Sequence, residues 1–299
     1  MIDTIVNTKN KEEANVIILS APYEHSVSFM KGTANGPKKI LDCLNNNLEL
    51  FDVELHSEPA KTIKTAHQEI SGLEKLTGEK AAEKISLEYQ KLFNNKKLMI
   101  MLGGEHTVSL GALSAIAKNE NPKDITILQI DAHQDLRDDS CDYDEKCEKF
   151  AHSCVMRRIH ELGFPIVQVG TRTYSKYEYE YWQKNKKTIT VFEWNKKEVP
   201  ISKILKSIKT KKIYITVDVD GFDPSFMPGT GTPVQGGLDW YYGLDLIEKT
   251  VDQKELIGAD IVEVSPQRDS VLTEFGASLI CYRMMAHKFL PKKRKSKRF

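Results

Sequence analysis

Short runs of Val, Ile and Leu recur along the chain at Val16 to Leu19, Leu98 to Leu102, Ile125 to Ile130, Ile166 to Val169, Thr188 to Phe192, Ile213 to Val217 and Ile257 to Val264. Runs so short and so apolar predict strands buried on both faces. Stretches with helical spacing lie between them, at Glu79 to Phe93, Leu110 to Ala117, Ile201 to Ile208, Trp240 to Val251 and Leu272 to Phe289. Strand and helix alternating over the whole length imply a parallel sheet, because parallel strands need crossover helices to return. The expected class is α/β, with helices covering both faces of a central sheet.

Composition changes this picture little. With 299 residues and 40% hydrophobic content, one large core suffices, and a single domain over residues 1–299 is expected. No internal repeat or Pro/Ser/Gly linker interrupts it. The one biased segment is the tail Pro291 to Phe299, where Lys292, Lys293, Arg294, Lys295, Lys297 and Arg298 crowd together. It is read as a solvated, mobile end. Lys and Arg total 43 against 42 Asp and Glu, a formal charge of +1. That balance gives no field to hold nucleic acid or a membrane surface.

The polar N-terminus lacks the order of a secretory signal, and no apolar run approaches the roughly 20 residues that span a bilayer. Five cysteines, Cys43, Cys141, Cys147, Cys154 and Cys281, are an odd number. They are expected to be mostly thiols in a reducing, cytoplasmic setting.

Chemistry-bearing residues concentrate where strands end. Gly103-Gly104-Glu105-His106, Asp131-Ala132-His133-Gln134-Asp135 and Asp218-Val219-Asp220 each follow a predicted strand, and Glu263 closes a fourth. In open parallel sheets the ligand crevice lies at the carboxyl ends of the strands, so these groups are expected to converge. On an extended backbone, residues two apart point the same way; Asp131, His133 and Asp135 therefore share a side, as do Asp218 and Asp220.

Each cluster alone has an ordinary explanation. A D-x-D is often a turn or cap, and a lone His106 a satisfied structural histidine. Together, four carboxylates at one rim would repel each other without a cation. Six ligands exceed what one zinc takes and suit two divalent ions with shared carboxylates, Mn²⁺ being favoured by the oxygen-rich set. A dinucleotide reading fails, since Gly103-Gly104 is not G-x-G-x-x-G.

These residues resemble the ureohydrolases, the family of arginase and agmatinase. The motifs that carry the resemblance are GGEHT (103–107), DAHQD (131–135) and TVDVDGFDPSFMPGTGTPVQGGL (216–238), with supporting similarity from APYEHSVSFMKGTANGP (21–37) to DIVEVSPQRD (260–269). PGTGTPxxGGL and the DLRD after the second motif look most like agmatinase. The resemblance implies a three-layer arginase-like fold with about eight mainly parallel strands, and two Mn²⁺ per subunit. One ion would be held by His106, Asp131, Asp135 and Asp218, the other by His133, Asp131, Asp218 and Asp220. It implies His152 as proton shuttle, Glu263 as guanidinium-binding acid, Asp135 as hydrogen-bond acceptor from the attacking hydroxide, and a homotrimer or homohexamer. Glu105 replaces the family's usual Asp beside a ligand, and the loop from Asp135 to His152 looks longer than usual; both are departures.

The expected activity is agmatine hydrolysis to urea and putrescine by a hydroxide bridging the two metals. The region Arg137 to Glu145 is rich in acid, which would repel a substrate carboxylate and attract a cationic tail. Runners-up are N1-aminopropylagmatine and guanidinobutyrate hydrolysis. Readings of other classes are an inactive binding or scaffolding relative and a one-zinc deacetylase; the complete ligand set argues against the first and the paired D-x-H-x-D and D-x-D against the second. Within the loop, a zinc knot of Cys141, Cys147, His152 and Cys154 and a redox-responsive Cys141/Cys147 pair stand as alternatives to inert thiols.

Overall fold

The apolar runs all become strands. In a computed structural model that describes residues 4–94, 96–195 and 198–290, they form β1 (Val16–Ala21), β3 (Leu98–Gly103), β4 (Ile125–Ile130), β5 (Ile166–Val169), β6 (Ile189–Phe192), β7 (Lys212–Asp218) and β8 (Glu255–Val262). An eighth strand, β2 (Thr65–Glu69), joins them at one edge. The sheet order is β2-β1-β3-β8-β7-β4-β5-β6, and every neighbouring pair is parallel.

The helices are α1 (Gly36–Asn46), α2 (Gly78–Leu92), α3 (Val108–Ala117), α4 (Val155–Glu161), α5 (Lys176–Lys184), α6 (Ile201–Ser207), α7 (Trp240–Gln253) and α8 (Leu272–Phe289). They return the chain between parallel strands and fall into two layers. In β1, Val16 and Ile18 pack in one core with α1, α6, α7 and α8, while Ile17 and Leu19 pack in the other with α2, α3 and α4. This alternation is the two-residue period of a strand buried on both sides. The fold is the expected three-layer α/β arrangement.

The order of the central strands positions the site. β3, β4, β7 and β8 lie far apart in sequence but are contiguous as β3-β8-β7-β4. Their carboxyl ends therefore open onto one crevice. The strand read from Ile257 to Val264 instead ends at Val262. Glu263 departs into left-handed backbone, φ 63°, with its N–H donated to Gly104 O at 2.8 Å. Among the described residues no helix is long and apolar enough to cross a membrane. The basic tail lies outside the described residues.

Candidate metal centre and its wall

His106 follows β3 through Gly103-Gly104, and there is a steric reason for the glycine. A Cβ on Gly104 would stand 2.0 Å from Tyr23 O, so only glycine lets the strand end pass this neighbour. The His106 ring is fully buried. Its Nε2 lies 2.9 Å from Thr216 Oγ1, which itself donates to Asp260 Oδ1 at 2.5 Å. With its proton given to Asp260, the threonine oxygen is left to accept from Nε2–H. That fixes the tautomer and leaves the Nδ1 lone pair facing inward.

Nδ1 faces Asp131, Asp135 and Asp218 at 3.2, 3.0 and 3.5 Å and makes no hydrogen bond of good geometry.

Asp131 and His133 come off β4. Asp131 is fully buried and accepts from Gln129 Nε2 and from His133 N, both at 2.6 Å. His133 Nδ1 lies 3.5 Å from Asp131 Oδ1 and 3.1 Å from Asp220 Oδ2. β7 supplies Asp218, whose Oδ1 accepts from Asp220 N at 2.9 Å, closing the short turn that turns Asp220 inward. Asp220 also accepts from Ala132 N at 3.0 Å and Thr232 Oγ1 at 3.2 Å, which ties the β4 end to the Gly/Pro-rich segment. Asp135, at φ 53°, adopts the left-handed conformation that Asp tolerates better than most residues.

All six residues singled out as ligands thus meet at one place. Ligand atoms of His106, Asp131 and Asp135 lie within 4.8 Å of one another, and so do those of Asp131, His133 and Asp220. Asp131 belongs to both groups, as a bridging carboxylate would. Asp218 reaches the first group through His106.

The electrostatics fit cations. Burial, then the charge of Asp131, raises Asp135 to about 6. Burial, then the charges of Asp220 and Asp131, pushes Asp218 well above the carboxylate range. Burial alone would lower His106 and His133, yet the facing carboxylates hold both well above the usual imidazole value. Buried, inward-facing imidazole nitrogen and clustered carboxylates are the donor set of a divalent-metal centre.

His152 and Glu263 form the adjoining wall. His152 Nδ1 is 3.6 Å from Glu263 Oε1, and its buried Nε2 has no hydrogen-bond partner. Burial would lower the imidazole, but Glu263, with Glu105 and Asp135 behind it, raises it above 6.5. The backbone N–H of His152 donates to Ser26 Oγ at 2.8 Å. Glu105 sits behind that link. Its carboxylate accepts from His25 N (2.6 Å), Ser26 N (2.7 Å), Ser26 Oγ (2.7 Å) and Thr107 Oγ1 (2.7 Å). Glu105 therefore braces the 25–26 segment that carries His152, and its carboxylate is committed there.

A cavity of about 340 Å³ opens beside these groups, lined by His133, Asp135, His152 and Asp218 together with Tyr143, Tyr174 and Glu178. Tyr143 falls in the region 137–145 that the sequence singles out, but sequence reasoning missed Tyr174 and Glu178, and also Arg172, Thr216 and Asp260. Arg172 fastens the Asp220 turn by donating to Asp220 O at 2.7 Å and Val234 O at 2.6 Å. Glu178 caps α5 and accepts from Leu136 N at 3.1 Å. An acid in the apolar run of β8 was the available signal for Asp260; none of comparable strength marks Tyr174.

The structure selects among the readings of the loop: most cysteines are thiols, as expected, while Cys141 and Cys147 are paired. Ser140 N donates to Glu148 O (3.1 Å) and Glu148 N to Ser140 Oγ (2.8 Å), so the loop's two ends lie side by side. Cys141 and Cys147 are thereby brought to a Cα separation of 4.1 Å and joined as a disulfide. Thiols remain at Cys43, Cys154 and Cys281, and a zinc knot using the paired sulfurs is ruled out. Two of the five acids between Arg137 and Glu145 are paired with arginines. Asp142 pairs with Arg137, and Asp138 with Arg158 at 2.8 Å and Arg157 at 3.6 Å.

Comparison with known proteins agrees with the fold. Residues 14–286 match the Arginase family. An N(1)-aminopropylagmatine ureohydrolase of Synechocystis sp. is 32% identical over 92% of this chain and 89% of its own. An agmatinase of Halalkalibacterium halodurans is 30% identical over 94% of each. The solved agmatine ureohydrolase of Thermoplasma volcanium superposes with a TM-score of 0.82 at 26% identity, covering 96% of this chain and 94% of that one. With the family match running from before the first strand into the last helix, the chain belongs to the arginase family and stands among its ureohydrolases, hydrolases of guanidino C–N bonds.

Proposed function

We propose that the chain releases urea from agmatine, a decarboxylated guanidino compound with a cationic tail. One observation supports this reading: His152, whose Nδ1 lies 3.6 Å from Glu263 Oε1, lines one cavity with His133, Asp135 and Asp218 of the carboxylate–imidazole cluster. Two Mn²⁺ would be held there, one by His106, Asp131, Asp135 and Asp218 and the other by His133, Asp131, Asp218 and Asp220. When bound, such a pair supplies Lewis-acid activation of water at neutral pH.

The chain's own residues do the rest. Glu263 binds the planar guanidinium, a cation at any physiological pH, through its carboxylate. Asp135 accepts a hydrogen bond from the attacking water and orients it. Water oxygen adds to the guanidino carbon, one of its protons passing through Asp135 to the alkyl nitrogen; the bond from that carbon to the alkyl nitrogen then breaks, and the proton left on the added oxygen restores His152 as urea forms. The departing amine takes its proton from His152, whose raised affinity for protons keeps imidazolium available near neutral pH. Tyr143 and Tyr174 offer aromatic faces to a cationic tail. Arg137, the cation beside them, has its charge engaged by Asp142 and Glu178.

A second reading, N1-aminopropylagmatine as substrate, draws on the relatives. Ureohydrolases so named are 30–33% identical, and agmatinases 30–31%. The test is urea release by Mn²⁺-loaded protein across agmatine, N1-aminopropylagmatine, arginine, guanidinobutyrate and guanidine. Turnover of the two cationic-tailed compounds far above arginine is expected; kcat/KM for arginine comparable with agmatine overturns the reading.

A further inference from the structure

The Cys141–Cys147 bond closes a small loop, and Tyr143 within it reaches the cavity. Both cysteines are exposed to solvent, so a reductant can reach them. Tyr143 is fixed on three sides. Its hydroxyl lies 2.6 Å from Ser153 Oγ, its ring meets the His152 ring edge-on at 6.3 Å, and the Arg137 guanidinium sits 5.5 Å over its face. Arg137 is itself paired with Asp142, inside the disulfide loop.

The backbone within the loop contributes little else. Tyr143 N and Asp144 N donate to Ser140 O at 3.0 and 2.8 Å, and Cys147 N to Asp144 O at 3.1 Å. A loop with few apolar contacts and few hydrogen bonds opens locally at low cost, and a covalent link across its base removes the entropy gained by opening.

We propose that the Cys141–Cys147 bond holds Tyr143 as the cavity wall beside His152, and that reducing this bond weakens substrate binding by releasing Tyr143. The proposal rests on the function proposed above for its substrate. The redox step takes two electrons. A dithiol gives up two hydrogens and closes to its own disulfide, while the S–S bond of the loop breaks and two cysteine thiols form. A phosphine does the same with water, whose oxygen ends on phosphorus and whose protons end on the two sulfurs. Tyr143 is a positioning residue for His152 and a wall of the binding cavity.

The experiment compares oxidised protein with protein reduced by tris(2-carboxyethyl)phosphine, in excess Mn²⁺, for wild type and Tyr143→Ala. Agmatine is the probe, and thiol titration verifies cleavage. Reduction is expected to raise the wild-type KM about fivefold, the size of one lost aromatic edge contact, with a smaller change in kcat. Tyr143→Ala is expected to raise KM by a similar factor and then to ignore the reductant, because both changes remove one interaction. An unchanged wild-type KM after verified cleavage overturns the proposal, and so does an equal response to reductant in both backgrounds.

Amide hydrogen exchange over residues 140–148 gives a readout independent of turnover. Faster exchange on reduction is expected, and unchanged protection overturns the latch. If oxidised wild type releases no urea, the proposed function fails, while the exchange measurement still decides whether the disulfide holds this loop.

Discussion

One oxygen of Glu263 serves two neighbours: Oε1 accepts from the backbone N–H of His106 at 2.7 Å and lies 3.6 Å from His152 Nδ1. The metal-facing end of β3 and the cavity wall are thus fastened to the same carboxylate. Replacing Glu263 by Gln keeps the shape and removes the charge. A charge-assisted hydrogen bond is worth about 1.5–3 kcal/mol, so kcat/KM for agmatine is expected to fall about 10- to 100-fold. Bound manganese, measured by elemental analysis, should stay near wild type. Loss of metal together with activity would assign Glu263 to the centre rather than to the substrate.

The same pair sets a pH dependence. Burial works against the His152 imidazolium, and Glu263 more than compensates, so the folded value lies above 6.5. As proton donor, His152 is competent below that value and loses competence as pH rises through it. The alkaline limb of kcat should follow. In Glu263→Gln the supporting charge is gone, so the limb and the His152 titration seen by ¹³C NMR should both move to lower pH. A His152 titration that does not respond to this substitution would break the link.

Glu105 shows how far the site could be read from sequence. The three strand-end motifs were legible because β3, β4 and β7 are runs of fully buried apolar residues and their ligands follow at once. The motif did not tell where the Glu105 carboxylate goes, since its partners His25 and Ser26 lie about 80 residues away and are joined to it only by the fold. Edge strand β2, with sequence Thr-Ala-His-Gln-Glu and one half-exposed end, carries too little apolar signal to be seen. Helix α5 was hidden by its composition, Lys-Tyr-Glu-Tyr-Glu-Tyr-Trp-Gln-Lys, which shows no clear apolar stripe. Glu105→Asp tests the tertiary role. One methylene fewer should draw the carboxylate away from the 25–26 amides, lowering kcat/KM several-fold through His152 while leaving manganese content unchanged.

Away from the site, Arg283 on α8 joins three acids: Glu248 at 2.6 Å, Asp52 at 2.7 Å and Glu54 at 2.7 Å. Arg283, Asp52 and Glu248 are all buried. Removing one partner of a buried ionic group leaves the others uncompensated, at about 3–5 kcal/mol. Arg283→Ala should therefore lower stability to urea by about that amount, and Asp52→Asn combined with Glu248→Gln should restore part of it. A loss below about 1 kcal/mol would mean that water reaches these acids when the arginine is gone.

Manganese should stabilise this protein in a pH-dependent way, and the direction follows from the metal-free cluster. Asp135 is raised from 3.8 to about 6, Asp218 is raised well above the usual carboxylate value, and His106 and His133 lie well above 6.5. Every one of these groups binds its proton more tightly folded than unfolded. Their stabilisation is therefore complete below the unfolded pKa values and is lost as pH rises through the folded ones. For Asp135 that window runs from about 4 to about 6; for the histidines it begins near 6.5 and extends upward.

Metal-free protein should accordingly lose thermal stability between pH 5 and pH 8, as protons leave and the carboxylates repel. Mn²⁺ competes with those protons for the same atoms, so its affinity rises over the same interval, and a ligand that binds only the folded state stabilises in proportion to that affinity. The increase in Tm on adding Mn²⁺ should be small at pH 5 and large at pH 8. Asp131→Asn removes the carboxylate that belongs to both ligand groups and should abolish the increase at pH 8. An equal Mn²⁺ shift at both pH values would show that the ions bind elsewhere than this cluster.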